Sequence, residues 1–168
     1  MKKGKKSFFT VFILVIFALG LLGSQNFFTT GSTTSGGNGA SDGKVPCNNP
    51  VVPDPEGLHW HPKLRIVLLG SEVKIPANIG LSITCHRVLH THDEKGELHI
   101  EPDFAQDFTL GDFFGVWEEP FSESAILDKV VDADHEIVMT VGGKPSTEFG
   151  NLILKDKQQI VIEYRKKQ

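Results

Sequence analysis

The chain lacks most of the signatures from which an activity is usually read. Its 168 residues hold no G-x-G-x-x-G, no P-loop and no nucleophile elbow set between a strand-like and a helix-like run. "VGGKPSTEFG" carries Gly142-Gly143-Lys144 but without P-loop spacing, and it reads as a hairpin turn. Of the two methionines one is Met1 and the other, Met139, lies in a strand-like run, so no methionine-rich tract points to a copper chaperone. There is no internal repeat. "HTHDEKGE" has the letters of a first cupin motif, but the preceding glycine is displaced and no second motif follows. Positive charge is also scarce. Four of the 17 basic residues lie within the first six positions, leaving 13 against all 21 acidic residues, a balance of about −8 for the rest. That balance argues against nucleic acid as a partner and favours mild attraction for cations.

What is present falls into three tracts. Residues 1–23, "MKKGKKSFFTVFILVIFALGLLG", set four lysines before an apolar run of about 16 residues, between a signal h-region and a full span. An uncleaved membrane anchor is expected, with a cleaved signal peptide as the alternative. "LLGSQ" fits an A-x-A cleavage site poorly, and no cysteine follows for a lipid anchor. Lysines before the run place the remainder of the chain outside the cytoplasm. Residues 24–57 are rich in Gly, Ser, Thr and Asn and then in Pro; such a composition buries too little apolar surface to order itself and reads as a flexible linker. The folded domain is expected over residues 58–168.

Only two cysteines occur. Outside the cytoplasm Cys47 and Cys85 are free to form a disulfide. The alternatives are two free thiols, or Cys85 as a metal ligand.

The domain reads as α+β, mostly antiparallel strand with one main helix. "KLRIVLLG" alternates, "GS" turns, and "EVKIPANIG" returns as a second strand. "ITCHRVLHTHD" and "ELHIE" suggest a second hairpin turning at Lys95-Gly96. "FTLGDFFGVWEEP" predicts a helix capped by Thr109 with Asp112 three residues on, stopped by Pro120, with Phe113, Val116 and Trp117 on its core face. "SESAILD" suggests a weak helical turn, and "EIVMTVGG" and "QQIVIEY" strands, the latter preceded by a short strand at "LKDK". With the histidine-rich hairpin set aside, this order resembles the β-grasp: hairpin, helix, then three strands.

Six of the seven histidines fall between residues 59 and 99. In a strand, residues two apart share a face. "HWH" therefore pairs His59 with His61, "HTH" pairs His90 with His92, and "HIE" pairs His99 with Glu101. A two-residue turn at Lys95-Gly96 would place His92 opposite His99 and His90 opposite Glu101, all four on one face. A three-residue loop would shift the register by one and split them. Imidazole and carboxylate suit a transition metal, zinc or copper foremost. His59 and His61 are expected to close the site, with Trp60 pointing away as an apolar plug. His135 stands apart as a surface residue.

The segments "HWHPKLRI", "IPANIGL", "LHTHD", "LHIE" and "FTLGDFF" resemble those of a set of exported or membrane-anchored bacterial and archaeal proteins with similar HxHxxL, IPANIG, LHTHD and FTLGDFF motifs. The resemblance covers about residues 58–165. It implies a shared domain and an exported location, and brings no activity. The expectation is a membrane-tethered extracytoplasmic domain that binds, delivers or senses a metal ion. The alternatives are a metal-dependent enzyme, with Asp93 or Glu101 as base toward a bound water, and a metal-free protein-interaction domain.

Overall fold

The computed structural model describes residues 45–48, 58–103 and 105–168. The expected anchor and most of the expected linker lie outside these residues. Among those described, no helix is long and apolar enough to cross a membrane.

The elements, in chain order, are β1 (Cys47–Asn48), β2 (Lys63–Leu68), β3 (Ser71–Val73), β4 (His86–Arg87), β5 (Leu89–His90), β6 (His99–Ile100), α1 (Leu110–Trp117), β7 (Ala125–Ile126), β8 (Lys129–Val130), β9 (His135–Val141), β10 (Lys144–Ser146) and β11 (Gln159–Lys166). The protein is mixed α+β, and all strand pairs but one are antiparallel. The main sheet has the order β10-β9-β11-β2-β3. Its centre is the parallel pair β11 and β2, in register Ile160↔Leu64 and Ile162↔Ile66. Alternation along the strands brings Leu64 and Ile66, Ile137 and Met139, and Ile160 and Ile162 into one buried cluster. Leu110, Phe113 and Phe114 of α1 complete it.

Helix α1 starts where its capping residues dictate. The Thr109 hydroxyl accepts from the Asp112 N–H at 3.2 Å, and the Asp112 carboxylate accepts from the Thr109 N–H at 2.8 Å. This exchange satisfies two donors that the first turn leaves open and accounts for a carboxylate that is only 2 % exposed. The helix ends before Pro120, at Glu118, whose left-handed φ of 63° turns its N–H back to Gly115 and Phe114. Phe113 is buried; Val116 and Trp117 are half-buried against the same core.

Three local expectations are corrected. β3 stops at Val73, and the turn before it is Leu69-Gly70, both at positive φ. "SESAILD" is the hairpin β7–β8 rather than a helical turn. The Ser122 hydroxyl accepts from the N–H groups of Ser124 and Ala125, giving the backbone a local partner that competes with a helical one. No strand forms at "LKDK", residues 154–157; just before it Ile153 makes one isolated bridge, to Thr109. The Gly142-Gly143 turn does form, with φ of 57° and 76°, the pair of positive values that a tight hairpin between β9 and β10 requires.

Candidate metal centre

The histidine-rich segment forms a three-stranded patch beside the main sheet. Its middle is the run 96–101. On one side lies β5, in register Leu89↔Ile100 and His90↔His99. On the other, bridges Trp60↔Ile100 and Lys63↔Glu97 carry the line of β2 backward through "HWHP". Counting along this register sets His61 opposite His99 and His59 opposite Glu101. Alternation then sends Leu89, Ile100 and Trp60 to the core and the histidines to the other face.

The expected hairpin register is therefore corrected. His90, not His92, faces His99, and the Glu101 N–H donates to the Val88 carbonyl. The reason lies in the loop. The Asp93 carboxylate accepts from the Lys95 N–H at 2.9 Å and closes a local turn. Gly96 and Leu98 then pair with Leu64 and Pro62 instead of with the strand they came from. Gly96 has φ 74° and lies so close to the Leu64 carbonyl that a Cβ would overlap it, so only glycine fits. The slip is two residues, and a slip of two leaves every side chain on its original face.

Thr91 holds the "HTH" run in place. Its hydroxyl donates to the Pro76 carbonyl at 2.8 Å and accepts from the Ile79 N–H at 3.1 Å. Its own N–H and carbonyl bond Ile79 and Asn78. The "IPANIG" segment is thus a clamp on Thr91, and clamping Thr91 inward turns His90 and His92 outward together.

The donor atoms converge. His90, His92, His99 and Glu101 offer atoms that all lie within 4.8 Å of one another, and these four could hold a metal ion. His90 Nε2 is 3.1 Å from His92 Nε2 and 3.7 Å from Glu101 Oε1, and His99 Nδ1 is 3.6 Å from the same oxygen. Ligands about 2.0–2.1 Å from a tetrahedral ion stand about 3.3–3.4 Å apart, so these spacings match the edges of a coordination polyhedron. The His90 tautomer is set from behind: Nδ1–H donates to the Arg87 carbonyl at 2.9 Å, leaving the Nε2 lone pair directed into the group. His99 Nδ1 is buried and has no hydrogen-bond partner among the described residues.

Burial favours the neutral form of His90 and His99. It pushes His90, which is 0 % exposed, down to about 4, against the opposing pull of the Glu101 carboxylate. His99 is also lowered, first by burial and then by His92 and His61. Neutral rings present the lone pairs that a metal requires. With His90 and His99 held neutral beside the His92 ring and the Glu101 carboxylate, the set is suited to a divalent cation.

The other sequence-derived residues are placed as follows. A second group, His59, His61 and His99, also has its donor atoms within 4.8 Å of one another, and His59 Nε2 lies 2.8 Å from Glu101 Oε1. Cys47 and Cys85 are joined in a disulfide that ties β1 to the start of β4. Next to it Asn48 Nδ2 donates to the Glu101 carbonyl, so the bridge braces one edge of the site. Asp93 belongs to its turn and pairs with Lys95 at 2.9 Å, outside either group. His135 is half-buried, pairs with Asp132 and stacks on Tyr164. The residue that the pairwise reading omits is His86, whose Nε2 is 3.4 Å from His90 Nε2. Positions 86, 90 and 92 share parity, but β4 and β5 are separate strands and Val88, of the same parity, lies in the core, so parity alone does not bring His86 to His90.

"GASDG", residues 39–43, has the spacing of a nucleophile elbow but lies outside the described residues. No family model, curated protein or solved structure matches the chain.

Proposed function

We propose that this domain binds a transition-metal ion, zinc or copper, through His90, His92, His99 and Glu101. The observation that carries the reading is the convergence of these four donors on one face, one of them a buried ring nitrogen with no hydrogen-bond partner among the described residues. A buried polar atom without a partner is costly; an ion at the centre of the group would remove that cost. Imidazole and carboxylate without thiolate suit zinc and copper(II) over softer sites. His92 is exposed, which gives an ion a way in from solvent. In this reading the chain is held at a membrane by residues 1–23, with the domain outside the cytoplasm. The main sheet, with its first and last long strands parallel at the centre, supports the β-grasp likeness, and the shared motifs support membership of the exported group.

The test is elemental analysis and metal titration of the purified full-length chain. Zinc or copper(II) should bind. His92→Ala should weaken binding by more than about 100-fold, beyond the usual effect of losing a supporting hydrogen bond. His135→Ala should leave it unchanged. His92 is exposed, so its replacement leaves the core intact. Absence of binding by the unaltered chain would refute the reading.

A further inference from the structure

The first ion does not account for all the imidazoles. His99 sits on the middle strand of the patch, with histidines on both flanks. Toward β5 its ring centroid is 4.4 Å from that of His92 and 5.3 Å from that of His90. Toward the "HWH" segment it is 4.8 Å from His61 and 5.8 Å from His59, which are themselves 4.3 Å apart. The two groups of converging donors, His90–His92–His99–Glu101 and His59–His61–His99, have only His99 in common. Together they offer five imidazoles and a carboxylate, more than the four ligands that zinc takes in a tetrahedral site. One ion at the first group would leave His59 and His61 unused.

We propose that His59, His61 and His99 take a second transition-metal ion, so that the patch is a two-ion centre bridged by the His99 imidazole. The inference rests on the reading of the first group as a metal site. Imidazole is suited to the bridge because its two ring nitrogens diverge, and each serves one ion. Bridging requires an imidazolate: as the second nitrogen–metal bond forms, the remaining ring N–H bond breaks and the proton leaves to solvent. Two cations on one ring favour that loss, as a bound cation favours deprotonation of its other ligands. Glu101 is placed to serve both halves, since its Oε1 is 3.6 Å from His99 Nδ1 and 2.8 Å from His59 Nε2. His59 and His61 are 37 % and 36 % exposed, so the second ion arrives from solvent without opening the core.

The experiment is a titration of the chelator-stripped full-length chain with zinc, repeated with copper(II) under electron paramagnetic resonance. The unaltered chain should bind two equivalents. His61→Ala and, separately, the more exposed His59→Ala should bind one. With copper(II) the bridged pair should couple, so the integrated signal of the saturated chain falls well below two spins, and His61→Ala should restore one full spin. Saturation at one equivalent in all three proteins would overturn the second ion while leaving the first group standing. Two equivalents with two full, uncoupled spins would overturn the bridge. No binding by the unaltered chain would overturn both readings.

Discussion

Acid should destabilise the metal-free chain well before its carboxylates protonate. His90 titrates at about 4 in the fold against 6.5 for a free side chain. Between those values the unfolded chain holds a proton at this site that the folded chain does not. The unfolded state then binds more protons, so stability falls as pH falls. The contribution is fully present above pH 6.5 and is lost progressively as pH drops through about 4. Between pH 7 and 5 the loss is about 2 kcal/mol, and it approaches about 3 kcal/mol at lower pH. His99, lowered for the same principal reason, adds in the same direction. The assay is urea unfolding of the solubilised full-length chain in chelator, followed by the fluorescence of Trp60 and Trp117. The midpoint should move down by about 1–2 M between pH 7 and 5. His90→Gln should flatten the dependence. A midpoint that stays constant or rises on acidification over that interval would refute the burial argument.

Two further outcomes are expected. Thiol labelling of the denatured, unreduced chain should find neither Cys47 nor Cys85 free, and the double change to serine should cost about 4 kcal/mol for a loop of this length; full labelling of both, or no loss of stability, would remove the bridge from the account. If residues 1–23 anchor the chain as proposed, a reporter fused after Gln168 should be active only outside the cytoplasm, and activity inside would overturn the location.

Which residues could reach one another was set locally, and so was legible. Parity along an extended run depends on backbone geometry alone, which is why "HWH", "HTH" and "HIE" announced a common face before any partner strand was known. The cap of α1 was equally local, since Thr109 and Asp112 satisfy each other within one turn. The Gly142-Gly143 hairpin needed nothing beyond two residues tolerant of positive φ.

Which residues meet was decided by packing between segments far apart in the chain. The register His90↔His99 follows from Gly96 and Leu98 bonding to Leu64 and Pro62. No hairpin rule within residues 89–101 contains that information. "IPANIG" read as strand because its clamp on Thr91 is a tertiary bond, invisible until the two segments touch. His86 was passed over for a similar reason: its position beside His90 shows only once β4 is fixed by β1 and by the Cys47–Cys85 bridge. The sharing of His99 between two groups is likewise a property of the middle strand. A strand becomes the middle one only when both neighbours have docked, and the backbone hydrogen bonds that dock them join residues up to some forty positions apart.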